Sequence, residues 1–408
     1  MTRSVYPTAP PSGNQSATTE PLRVLIAHNA YQQRGGEDSV VDAEEALLRQ
    51  HGHAVLRYER HNDEVGEANR LSMARDTVWS PRTSRDLAAV VGSFRPDVVH
   101  VHNSFPLISP SLYWAAHRAR VPVVQTLHNF RLICPQALLL RDGHVCEDCV
   151  GRVPWRAVAH RCYRGSAAQS AAVAVMLQTH RALGTWQHKV SRYIALNEFC
   201  KAKFVEGGLP ADRISVKPNF VDLPAPAPRQ RSGFLFVGRL SLEKGIDVLA
   251  AAAMQLAADV HISVAGTGPE AAKVQGSSRF NLLGALPAAK VYEHMAGAMA
   301  LVLPSIWYEN FPRTLVEAYA CGLPVIASRI GALEGLVSDG ITGLLFTPGD
   351  ANDLSSKLAW ARAHPERMAE MGANARKAYE EQLTGEANHR MLLGIYAMVV
   401  EGKKAGAL

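Results

Sequence analysis

The chain has 408 residues, of which 47% are hydrophobic and 20% charged, with a formal net charge of +6. That length exceeds one ordinary core and predicts two domains, and the composition is that of a soluble globular protein. No run reaches the roughly 20 apolar residues needed to span a bilayer, which excludes a membrane-spanning helix and predicts a cytoplasmic protein.

Residues 1–20, rich in Pro, Ser, Thr and Gln, predict a disordered lead that is neither signal peptide nor anchor. Short apolar runs then alternate with amphipathic stretches, the pattern of βαβ units in a parallel sheet. "RVLIAHN" (23–29) predicts the first strand, "QRGGED" (33–38) a turn, "SVVDAEEALLRQHG" a helix ending near Gly52, and "AVLRYE" a second strand. "PDVVHVHN" (96–103) and "PVVQTLHN" (122–129) predict further strands, with "SPSLYWAAHRARV" between them as a helix begun by a serine cap.

Two features interrupt the pattern. Cys134, Cys146, Cys149 and Cys162 form C-x11-C-x2-C-x12-C, a spacing open to structural zinc, to a redox pair or to unligated thiols. Between Gly151 and Lys203 lie Arg152, Arg156, Arg161, Arg164, Arg181, Lys189, Arg192, Lys201 and Lys203 against one acid, Glu198. With Trp155, Tyr163 and Trp186 among them, these cations suit an anionic lipid surface, a pyrophosphate-bearing partner or a solvated face, and no nucleic-acid module is recognisable.

"VDLPAPAPRQRSG" after Phe220 predicts an interdomain linker. A second α/β set follows: strand 234–238, helix from Ile246, strands 261–266, 281–284 and 300–305, helix from Pro312 and strand 324–328. The predicted domains are 21–220, with the insertion 134–162, and 221–380. Two such halves imply a cleft at the carboxyl ends of their strands, where ligands bind.

"YENFPRTLVEA" (308–318) holds Glu309 and Glu317 eight apart. Pro312 at the first helical position puts Glu309 in a loop and Glu317 on the helix, beside open backbone amides that suit hydroxyls and anions. In "GRLSLEKG", Gly238 to Gly245, Arg239 and Lys244 stand where a strand turns into a helix, and two fixed cations there would neutralise a diphosphate. Gly35 and Gly36 follow the first strand, where a backbone can approach a ligand closely. "GTGPEA" formally matches a dinucleotide fingerprint, but Pro269 and the lack of a matching acid oppose that reading.

Gly35-Gly36-Glu37, His128 in "TLHNFR", "GRLSLEKG", "GTGPE" at Gly266, "YENFPRTLVEA" and "CGLPVIASRIGALEGLVSDGITGLLF" stand in the order seen in retaining glycosyltransferases of group 1 (family 4). The chain resembles that family from Leu22 onward, with Glu309 and Glu317 as its E-x7-E element. The resemblance implies a GT-B fold, two Rossmann-like doubly wound domains facing across a cleft, with helix 381–408 returning to the first. It implies a nucleotide-sugar donor (UDP-, GDP- or ADP-linked), with Glu317 on the ribose and Glu309, Asn310, Phe311 and Pro312 around the sugar. Arg239 and Lys244 would stabilise the diphosphate, approached by the Gly36 amide, and His128 would stand beside the reacting sugar. No catalytic metal is implied, and front-face attack and double displacement both stay open. The expected function is transfer of a sugar to a lipid-linked or polysaccharide-precursor acceptor at the cytoplasmic membrane face. The alternatives are a nucleotide-sugar 2-epimerase and a non-catalytic sugar-nucleotide or polyanion binder.

Overall fold

The computed structural model describes residues 20–67, 69–227 and 229–405. Apart from Glu20, the expected disordered lead lies outside the described residues. The described residues divide into two compact units: one holds residues 20–139, Glu147–Pro218 and residues 388–405, the other Leu140–Cys146 and Asn219–Ala387.

The first unit is built on a six-stranded sheet. Its strands are β1 (Arg23–Ala30), β2 (Ala54–His61), β3 (Val98–Asn103), β4 (Val123–Thr126), β7 (Arg192–Ala195) and β8 (Ile214–Val216). They lie in the order β2-β1-β3-β4-β7-β8, and each neighbouring pair is parallel. The intervening hairpin β5 (Leu140–Arg141) and β6 (His144–Val145) belongs to the other unit. Every residue of β3 is buried, as in a parallel strand covered on both faces. Val24, Ile26, Val98 and Val124 from the strands pack with Leu392, Ile395, Tyr396 and Val399 of the last helix, Gly385–Lys404.

The second unit carries β9 (Phe234–Val237), β10 (Ile262–Ala265), β11 (Phe280–Gly284), β12 (Ala300–Leu303), β13 (Val325–Ser328) and β14 (Gly343–Phe346). Its order, β11-β10-β9-β12-β13-β14, is the dinucleotide-fold order, reversing direction between β9 and β12. All its pairs are parallel.

Helix starts differ from the sequence reading at three places, two of them in the first unit. The first helix begins at Gly36, inside the predicted turn, because the Asp38 carboxylate accepts the Gly35 amide at 2.8 Å and places negative charge at the helix's positive end. Helix Ser111–Arg118 has Pro110, not a serine, at its cap position, while the Ser109 hydroxyl accepts the amides of Ser80 and Ser111.

Candidate functional site

In the second unit, the loops leaving β9 and β12 converge where the sheet order reverses. Arg239, Lys244 and Gly245 follow β9, and Ser305, Trp307 and Glu309 follow β12. Glu309 is 5% exposed, and its Oε1 receives the Lys244 ammonium at 2.6 Å and the Ser305 hydroxyl at 2.7 Å. Burial alone would raise its pKa, but the charge and hydrogen bond of Lys244, with the Ser305 bond, outweigh burial and hold it below the ordinary carboxylate range. The Lys244 ammonium also lies 5.4 Å from the centre of the Trp307 ring.

Glycine makes this convergence sterically feasible. Gly245 has φ +70°, and a Cβ there would stand 1.8 Å from the Pro304 carbonyl oxygen, so the β9 loop can abut the β12 loop only without a side chain. Gly266, at φ +143°, meets Gly238 in the same way: a Cβ would lie 1.9 Å from the Gly238 oxygen. The Ile306 amide closes the junction by donating to the Glu243 carbonyl at 3.0 Å. Arg239 is exposed and makes no ion pair among the described residues.

Helix Arg313–Ala320 follows, with Pro312 as its cap rather than its first helical residue, and Phe311 buried before it. Glu309 therefore lies in the loop and Glu317 on the helix. Each has its own cation: Arg313 Nε donates to Glu317 Oε1 at 2.9 Å, one turn away. Burial raises the Glu317 pKa, and Arg313 offsets only part of that rise.

In the first unit the order reverses between β1 and β3. Gly35 caps and Gly36 opens the first helix, and nothing stands within 4 Å of where a Gly36 Cβ would lie, so its backbone is open to approach. His128 is half-buried, its Nε2 2.9 Å from His102 Nδ1 and its ring stacked on His102 at 5.1 Å between centres. Beneath lie His100, held by the Tyr396 hydroxyl at 2.7 Å and Thr126 at 2.8 Å, and His28, bonded to Asp38 at 2.8 Å. Burial first of all pushes His28, His100, His102 and His128 below the ordinary imidazole value, His100 to about 4. The shift favours the neutral imidazole form of His128.

The sequence profile described as Glycosyl transferases group 1 matches residues 225–378, and that of Glycosyltransferase Family 4 matches residues 34–224. A D-inositol 3-phosphate glycosyltransferase of Xylanimonas cellulosilytica is 30% identical over 339 residues, 76% of this chain and 73% of that protein. The chain belongs to the group 1 glycosyltransferase family. An alpha-maltose-1-phosphate synthase of Mycolicibacterium smegmatis is 31% identical over 183 residues, 40% of this chain, and the match spans about half of that relative, 47%. Among solved structures, Anabaena HepE in complex with UDP superposes with a TM-score of 0.65 at 18% identity, covering 92% of this chain and 99% of that one. This likeness establishes the GT-B fold.

Several residues of this group 1 chain that shape the sites were not singled out by sequence reasoning. Ser305 and Trp307 flank the Lys244–Glu309 pair, and Arg313 partners Glu317. The "LPSIWYEN" run carried the first two, but nothing in their spacing marked them. Under the histidines, fully buried Glu44 and Lys217 form an ion pair, and Lys217 Nζ also lies 3.1 Å from Asn388 Oδ1. Among the described residues, one set of three or more His, Cys, Asp or Glu ligand atoms lies within 4.8 Å: Glu44, His100 and His102. The Lys217 ammonium already supplies a positive charge there. Cys134, Cys149 and Cys162 do not form such a set, Cys146 lies in the other unit, and the described cysteines form no disulfide.

A cavity of about 550 Å³ lies at the opposite, amino-terminal edge of the second sheet, against Gly233, Phe234 and His261, away from the Lys244–Glu309 chemistry. Acids just outside the counted basic segment engage part of it: Lys203 pairs with Glu147 and Glu206, and Arg156 with Asp148. Arg152, Arg161 and Arg164 remain exposed, as do Val153 and Trp155, the latter 62% exposed. No helix of the described residues is long and apolar enough to cross a membrane.

Proposed function

We propose that this chain transfers a sugar, with retention of configuration, from a nucleoside-diphosphate sugar to a lipid-linked or saccharide acceptor. The observation that carries the reading is the Lys244–Glu309–Ser305 constellation at the point where the second sheet reverses order. Cleaving a glycosyl phosphate develops positive charge on the sugar and negative charge on the diphosphate. Fixed cations beside the leaving group are therefore worth most in the transition state. Lys244 and exposed Arg239 supply them, so the leaving group can be stabilised without a divalent metal. Buried, ionised Glu309 suits the donor-sugar hydroxyls, and Glu317 suits the ribose. UDP-linked donors are the first to test, because the structural relative HepE is in complex with UDP. Exposed Arg152, Arg161, Val153 and Trp155 support an acceptor presented at an anionic membrane face.

A thermal-shift series with UDP, GDP, ADP and their sugars, without added metal, tests the donor reading. The expected result is stabilisation by one nucleotide family, lost in Glu317→Ala. The absence of any shift, with no turnover of any of these sugars, would reject it.

A further inference from the structure

The loops after β1, β3 and β4 enclose a cavity of about 80 Å³ within the first unit. Tyr31, Asn103, Asn129, Arg131, Tyr163 and Arg164 line it, and none of its lining residues is acidic. The Arg131 guanidinium lies 4.5 Å from the centre of the Phe105 ring and 5.0 Å from that of Tyr163, within cation–π range of both. One of its N–H groups donates to the Pro135 carbonyl, and no carboxylate pairs with Arg131 or Arg164 among the described residues. A guanidinium without a carboxylate partner keeps donors for a planar or tetrahedral oxyanion.

The nearest carboxyl does not cancel these charges. Glu37 Oε2 accepts the Tyr31 hydroxyl at 2.9 Å and the Asn129 amide at 3.4 Å, while buried Oε1 has no partner. Burial above all pushes Glu37 up to about 8, so at neutral pH it is mostly uncharged. The result is a small polar pocket with two cations and no anion. Its volume is far below the roughly 300 Å³ or more of a whole small-molecule site, so it fits one group of a larger ligand.

We infer that this pocket takes a phosphate group of the acceptor, held by Arg131 and Arg164, with Tyr163 fixing the Arg131 fork. Calling the occupant the acceptor rests on the transferase reading above; the anion site itself does not. Tyr163 and Arg164 immediately follow Cys162, so the cysteine-bearing insertion contributes to acceptor recognition.

The test measures binding of glucose 1-phosphate by the full chain at constant ionic strength, and in parallel its co-sedimentation with phosphatidylcholine vesicles with and without phosphatidic acid. Wild type is compared with Arg131→Gln, Arg131→Lys, Arg164→Gln and Lys244→Ala. Arg164 is exposed, so its replacement leaves the fold intact. The expected result is binding in at least one arm that weakens about tenfold or more in each Gln variant and persists in Lys244→Ala. Response to the soluble ester assigns a free phosphorylated acceptor, and response to phosphatidic acid alone assigns a lipid-borne one. No binding in either arm, equal binding by the Gln variants, or loss confined to Lys244→Ala would overturn the inference. Arginine-dependent binding without any nucleotide-sugar turnover would keep the anion site and remove the transferase reading instead.

Discussion

The ammonium of Lys244 lies 2.6 Å from the carboxylate of Glu309, joining the loop after β9 to the loop after β12 across 65 residues of sequence. The pair keeps a carboxylate ionised in a buried place and holds a cation where a diphosphate can share it. Removing Lys244 therefore does two things. Under the proposed function it takes a positive charge from the leaving group, and it leaves Glu309 buried without its partner.

Lys244→Met should cost about 2 kcal/mol of stability, because a charge-assisted hydrogen bond to a buried group is lost. Combining it with Glu309→Gln should cost less than the sum of the single changes. Urea unfolding of the four proteins measures the coupling, and strict additivity would mean that the pair is not energetically linked.

Gly245→Ala should destabilise by at least about 1–3 kcal/mol, because the added Cβ meets the Pro304 carbonyl and φ is +70°. Gly340→Ala, at φ +73° with nothing within 4 Å of its Cβ, isolates the backbone term and should cost less. A comparison of melting temperatures decides it, and donor binding should suffer only in the first variant.

Lys217→Met should cost about 3–5 kcal/mol, since it strands the Glu44 carboxylate in a fully buried site. Glu44→Gln together with Lys217→Met should recover much of that loss. Chemical denaturation reads both, and equal losses in the single and double variants would contradict the pairing argument.

Acidification should weaken the first unit. His100 has a folded pKa of about 4 against an ordinary 6.5, so between those values the unfolded chain binds the proton that the folded chain refuses. Stability contributed by neutral His100 is present above 6.5 and is lost as pH falls from 6.5 towards 4. The loss between pH 7 and 5 should be on the order of 1–2 kcal/mol for this side chain. His100→Gln should flatten the dependence, as measured by urea midpoints at the two pH values.

Much of the architecture was legible in the sequence. Five of the six strands of the second unit were marked by short apolar runs among glycines and prolines, and "YENFPRTLVEA" showed one carboxylate in a loop and one on a helix because Pro312 fixes the boundary. Strands β7 and β8 were not read, since "RYIA" and "ISV" are too short to show a period and sit among cations and turns. Strand β14 lay hidden in "GITGLLF", which had been read as a motif rather than as structure. The cation serving each carboxylate was not legible either: Glu309 takes Lys244, 65 residues away, whereas Glu317 takes Arg313, four away. Pairing between distant loops is decided by the sheet order, which local periodicity does not encode. The first-unit pairing of Glu44 with Lys217, 173 residues apart, was hidden for the same reason.

The most direct test of the account is the rate of UDP release from UDP-hexoses by wild type, Lys244→Ala and Glu309→Gln, with each variant's fold checked by its melting curve. The account predicts measurable turnover by wild type and a loss of about a hundredfold or more in Lys244→Ala, the scale for removing a preorganised charge from a leaving group. Turnover by Lys244→Ala at the wild-type rate would contradict it.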